Sequence, residues 1–199
     1  FFLVVMILFS FLHKNKLMRS FFLTAVSLFF YYKTSGLSVV ILGFSLIFNF
    51  LIADGIFAAE TKVKKKFVLT FGVIFNLLIL GYFKYAFFFT ESFNEMFHTK
   101  YEVFNLMAQW KSGFSSEGGS IVDKIIVPAG LSFFTFTSIS YIVDVYRKEV
   151  KPFRHFFDYT FFVSFFPQIV MGPIARAKDF IPQIEGNPET GVSDYKMDK

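Results

Sequence analysis

The chain has 199 residues, 54% hydrophobic and 18% charged, with no cysteine and a mean hydropathy of +0.53. Soluble domains carry about 25% charged residues, so this composition excludes an ordinary soluble domain, and it equally excludes a disordered chain or a collagen repeat. Without cysteine there are no disulfide scaffolds, thiolate nucleophiles, cysteine-ligated zinc sites or iron–sulfur clusters.

The formal charge is +5, and its distribution decides what the excess means. Apolar runs come in order along the chain. Phe1–Leu12 is the first, and Ser20–Tyr32 is a second, short for a full span. Leu37–Ala59 follows, interrupted by Asn49 and Asp54, and then Phe67–Phe89, carrying Asn76 and Lys84. Ile125–Val145 holds Pro128 near its start and Asp144 near its end; Asp158–Ala175 contains Pro167, Gly172 and Pro173. A membrane helix needs about 20 apolar residues, which the later runs approach or exceed.

Between them, segment 13–19 carries Lys14, Lys16 and Arg19 without an acid. Segment 60–66 sets four lysines against Glu60, and segment 147–157 sets Arg147, Lys148, Lys151 and Arg154 against Glu149. Each nets +3, whereas segment 90–124 has three lysines against five acids and nets −2. If each run crosses once, the basic loops 13–19, 60–66 and 147–157 share one side. The positive-inside rule makes that side cytoplasmic. The basic excess is thus a topology signal rather than a nucleic-acid footprint. The partner it indicates is the lipid bilayer, crossed several times.

Residues 90–120 form the one long extramembrane piece. Phe93, Met96, Phe97, Tyr101 and Phe104 recur at intervals of three or four, the pattern of an interfacial helix. Ser112–Ser120 reads as a flexible turn. The absence of an initiator methionine and the polar stretch Glu185–Lys199 read as a piece of a longer protein.

Polar residues inside apolar runs are costly and normally face protein or water. Asn49 and Asn76 read as interhelical glue. Asp54 is expected to pair with a base and Lys84 to snorkel. Thr137, Ser140, Tyr141 and Asp144 share one helical face, with Arg147 and Lys148 placed to neutralise Asp144. That face is either a hydrogen-bonded seam or one wall of a wet cavity. Ser164–Arg176 cannot be a straight helix, because Pro167 and Pro173 each remove a donor and Gly172 weakens helix preference further. Broken backbone at membrane depth is tolerated only against protein or water. This segment is therefore expected to be bent or re-entrant, to present Gln168 and to end on Arg176, whose planar fork fits a carboxylate or phosphate. The three histidines have no second ligand at metal spacing, and no metal site or bound cofactor is expected. From the residues alone the chain is an all-α, polytopic membrane helical bundle broken near 164–176; they do not say what passes through it or reacts there, and a small transporter or channel subunit or a truncated inactive product stays open.

Three stretches resemble the bacterial branch of the membrane-bound O-acyltransferase family, most closely its alginate O-acetyltransferase type: Leu80–Ala86 (LGYFKYA), Val127–Val150 (VPAGLSFFTFTSISYIVDVYRKEV) and Phe161–Arg176 (FFVSFFPQIVMGPIAR). The resemblance implies that residues 1–182 form the N-terminal portion of such a domain, with 183–199 a polar tail or the start of the next segment. It implies a funnel-shaped fold moving an acyl group, acetyl in the alginate type, from a cytoplasmic thioester, acetyl-CoA or acyl carrier protein, toward an extracytoplasmic polysaccharide hydroxyl. The acceptor would be reached directly or through a transferase partner protein. The family histidine lies in later Arg-Arg-Trp-His and Leu-Trp-His-Gly runs, which do not occur here, so no catalytic residue is assigned in this chain and the chain alone is expected to be inactive. Pro167, Gln168, Gly172, Pro173 and Arg176, with Thr137, Ser140 and Asp144, are the candidates for lining the reaction chamber.

Overall fold

The computed structural model of the protein describes residues 16–101, 128–165, 176–178 and 180. All regular structure among them is helical: α1 (Lys16–Ser35), a 3₁₀ turn (Gly36–Ser38), α2 (Val39–Ala58), α3 (Lys62–Phe97), α4 (Leu131–Arg147) and α5 (Phe156–Ser164). The run Phe1–Leu12 lies outside the described residues.

Local chemistry sets the ends. α1 stops at Gly36, whose φ of +56° reverses the chain at a position open to any side chain but strained for one. Thr61 caps α3 by accepting a hydrogen bond from Lys64 N at 3.3 Å. α4 begins only after Pro128 and Gly130. At its far end Lys148 takes the left-handed conformation at φ 63°, and Lys148 N and Glu149 N return to Val145 O and Asp144 O at 3.1 and 3.0 Å. α5 ends at Ser164, before Pro167.

Two expectations change. The short run Ser20–Tyr32 sits in a 20-residue helix, about 30 Å long at 1.5 Å per residue and long enough to cross a bilayer. Hydropathy stops at Lys16–Arg19 and Lys33–Ser35, but helical hydrogen bonding does not. Over residues 93–101 the expected interfacial helix is not a separate element, and Phe104 lies outside the described residues. α3 instead continues unbroken for 36 residues to Phe97, about 54 Å. His98 ends it in the left-handed region, and Asn94 fastens the following loop: its Oδ1 accepts from Thr99 Oγ1 and Tyr101 N, both at 2.9 Å, and its Nδ2 donates to Tyr101 O at 2.8 Å. Phe97 and Tyr101 stack on Phe93 at 4.5 and 5.9 Å.

Helices α2 and α3 lie side by side and both pack on α4, while α1 packs chiefly on α5. Gly55 faces Val68, Phe50 meets Phe156 at 5.5 Å, Thr24 Oγ1 donates to Phe157 O at 3.1 Å, and Tyr141 stacks on Phe153. At the opposite end Ala129 N donates to Ser35 Oγ at 3.3 Å. The helices therefore alternate in direction, and the basic stretches 60–66 and 147–155 come to one end of the bundle. The stretch 21–58 and residues 62–86 are each long and apolar enough to cross a membrane.

Apolar burial does not drive helices together inside lipid; close packing and polar contacts do. Gly72 supplies the closest approach. A Cβ built there would meet Ile52 Cγ2 at 2.8 Å and Ile142 Cδ1 at 3.1 Å, so α2, α3 and α4 converge on a position that only glycine fills. Many large apolar side chains on the outer surface, Phe44, Leu51, Phe67 and Leu78 among them, are exposed as a lipid-facing surface requires.

Candidate functional site

Two buried polar assemblies stand out. The first joins α2 and α3 one turn beyond Gly72. Asn49 Nδ2 donates to Asn76 Oδ1 at 3.1 Å, and Asn76 Nδ2 donates to Asn49 Oδ1 at 2.7 Å. Each amide also donates to its own helix, Asn49 to Ser45 O at 2.9 Å and Asn76 to Gly72 O at 2.8 Å. With exposures of 0% and 2%, the two side chains satisfy each other away from both water and lipid. The expected interhelical glue is present.

The second assembly lies where α4 meets α5. Phe153 N donates to Tyr141 Oη at 3.0 Å, and Tyr159 Oη donates to Ser138 Oγ at 3.3 Å. The rings of Tyr141, Phe153, Tyr159 and Phe162 form one cluster, with Tyr141 and Tyr159 centred 4.9 Å apart. Phe180 closes it against Phe162 at 5.1 Å, and Ala177 is buried beside it.

Of the residues expected on the polar face of α4, Thr137 is buried and donates to Phe133 O of its own helix at 2.9 Å, while Ser140 is half-buried. Asp144 is 6% exposed, and its Oδ2 has no hydrogen-bond partner among the described residues. The expected local neutralisation by Arg147 is weak, because Arg147 instead approaches Glu149 at 3.9 Å. Arg176 is exposed and makes no ion pair with Asp144. Pro167, Gln168, Gly172 and Pro173 lie outside the described residues.

Asp54 is exposed and makes no ion pair among the described residues, contrary to the expected pairing. Lys84 is exposed, with its ammonium 5.4 Å from the centre of the Tyr85 ring. Sequence reasoning passed over the buried Ser27, Tyr31 and Ser164, and the hydroxyl oxygens of Ser27 and Ser164 have no partner among the described residues. The signal was present for the first two. Thr24, Ser27 and Tyr31 stand at intervals of three and four inside an apolar run, which places them on one inward face of α1. Among the described residues no group of three His, Asp or Glu side chains forms a metal-binding cluster.

These features define an all-α membrane protein whose apolar helices are joined through buried polar seams. Its relatives place it further. It is 31% identical over 196 residues to a peptidoglycan O-acetyltransferase from Helicobacter pylori, an alignment covering 86% of this chain and 34% of that protein. It is 35% identical over 145 residues to a "Probable alginate O-acetylase AlgI" from Azotobacter vinelandii and 34% identical over 146 residues to its namesake from Pseudomonas aeruginosa. Each of these two alignments covers 72% of this chain, and 26% and 25% of the respective relative. The chain belongs to the membrane-bound O-acyltransferase family, and it spans about a third or less of the length of these relatives. No family model and no solved structure matches it.

Proposed function

We propose that the chain is the amino-terminal portion of a membrane O-acyltransferase that moves an acetyl group from a cytoplasmic thioester, acetyl-CoA or an acyl carrier protein, toward a polysaccharide hydroxyl outside the cell. One observation carries this reading: the chain aligns over 86% of its length with a peptidoglycan O-acetyltransferase and over 72% with alginate O-acetylases. The alternating helices support the orientation, because they gather the basic stretches 60–66 and 147–155 at one end, the arrangement a cytoplasmic face requires.

In this reading the described helices are scaffold and wall. Their hydroxyls and amides are engaged mainly with backbone carbonyls and with one another, and the Pro-flanked stretch from Ser164 to Arg176 forms part of the chamber in which donor and acceptor meet. The reacting histidine belongs to later segments of the complete protein. The acceptor is reached directly or through a transferase partner outside the membrane.

The test uses membranes containing the 199-residue chain, or the chain joined to the remaining segments of the family fold. Both are supplied with labelled acetyl-CoA or acetylated carrier protein, and with alginate or peptidoglycan. The short chain should transfer no label, the completed protein should transfer it, and replacing the later histidine should abolish transfer. Turnover by the short chain would overturn the assignment as an inactive portion. A completed protein that transfers no acetyl group to either polymer would overturn the acyltransferase reading.

A further inference from the structure

The lysines between α2 and the apolar part of α3 all stand inside a helix. The connecting residues 59–61 carry none, and Lys62, Lys64, Lys65 and Lys66 occupy the first five positions of α3 together with Val63. Lysines in the connection would set the orientation equally well, whereas cations in a first helical turn meet the positive end of the macrodipole at a cost. No acid stands in that turn to offset them. Lys62, Lys64 and Lys66 are exposed, and the one ion pair among the described residues joins Arg147 to Glu149. Apolar side chains share the same turns. Val63 is 79% exposed, more than any other large apolar side chain described, and Phe67 is 73% exposed. Four residues apart, these two lie one above the other on the outward face. At about 100° per residue, Lys62 and Lys64 flank Val63 on either side, and Lys66 stands beside Phe67. A Cβ built at Gly55 would meet Val68 Cγ1 at 3.5 Å, so this foot is level with the last turn of α2, where that helix also leaves its apolar run.

We propose that the foot of α3 is a seat for the headgroup of an anionic phospholipid: Val63 and Phe67 enter the acyl region while Lys62, Lys64 and Lys66 hold the charged headgroup from both flanks. A lysine suits this position because its compact ammonium rides on a flexible apolar stem, which stays along the hydrocarbon while the charge reaches the headgroup. The negative potential of an anionic leaflet offsets the dipole penalty that the lysines otherwise carry. An acidic protein surface fits the cations but leaves Val63 and Phe67 facing water, whereas a lipid satisfies both. The seat lies apart from the buried polar seams and from the Pro-flanked stretch, and it does not depend on acyl transfer.

A single tryptophan at the foot reads the seat: Phe67→Trp in a Trp110→Phe background of the 199-residue chain, placed in mixed phosphatidylcholine and phosphatidylglycerol vesicles. One lipid or the other carries bromine, which quenches the indole only from lipids in contact with it, so the two quenching curves give the local preference. The reporter should favour phosphatidylglycerol by about fivefold or more, the gain expected for one lysine at an anionic surface, and high salt should reduce that preference. Replacing Lys62, Lys64 and Lys66 together with glutamine should bring the two lipids to parity, while Lys148→Gln with Lys151→Gln should leave the preference in place. Equal quenching by both lipids before any lysine is replaced would overturn the seat. So would a preference that survives loss of the three lysines, or one that vanishes equally on loss of Lys148 and Lys151. Circular dichroism reads folding. If the triple variant fails to fold, Lys64→Gln and Lys66→Gln decide singly: a preference unchanged in both overturns the seat, and a fall in either supports it.

Discussion

Asn49 and Asn76 exchange two hydrogen bonds across the α2–α3 contact, so each amide is both donor and acceptor to the other. Replacing either with leucine strands the other in a buried, water-free layer. Each single variant should lose about 1–2 kcal/mol of stability, while the double leucine variant should recover most of it. Thermal unfolding in detergent, run as a double-mutant cycle, measures both. Additive losses would show that the pair is not coupled.

One turn away, Gly72 holds three helices together by having no side chain. Gly72→Ala places a methyl 2.8 Å from Ile52 Cγ2 and 3.1 Å from Ile142 Cδ1. The expected loss is about 1–3 kcal/mol. Adding Ile52→Ala removes the nearer obstructing carbon and should restore part of it. The unfolding midpoints of the single and double variants provide the comparison.

Lys148 closes α4 with φ 63°, a conformation glycine adopts without strain. Lys148→Gly should therefore raise the unfolding midpoint, by a gain of about 1 kcal/mol, because the left-handed penalty exceeds what the exposed lysine contributes there. A lower midpoint would mean that the lysine side chain holds the turn in some other way.

The alternating helices make a prediction about sidedness. Reporters inserted at Lys64 and Lys148 should both be active on the cytoplasmic side, and one at Thr99 on the outer side. A cytoplasmic signal at Thr99 would reverse the orientation drawn from the charge distribution.

Much of this was readable from the residues. Two asparagines in otherwise apolar runs had few partners but each other. Other features were hidden because they depend on interactions the local pattern does not hold. Glu91 and Glu95 mark where α3 leaves an apolar environment, yet a helix has no reason to stop at a change of solvent, and it runs on to Phe97. The spacing of Asp144 and Arg147 suggested neutralisation within one turn. The left-handed Lys148 instead folds Glu149 back toward Arg147, and Asp144 Oδ2 is left without a hydrogen-bond partner among the described residues. Ser140 and Thr137 carry equal weight in a sequence pattern, and only packing separates a half-buried hydroxyl from a buried one.

The unbroken α3 has a mechanical consequence. It contains no proline, and at about 54 Å it outreaches a hydrocarbon layer of about 30 Å even when steeply inclined. Its aromatic tip at Phe93–Tyr101 and its lysine-studded foot are thus two ends of one stiff mast, clamped midway by Gly72 and Asn76. A push applied to the tip has no joint at which to dissipate, and it arrives as torque on the helices gripping the shaft.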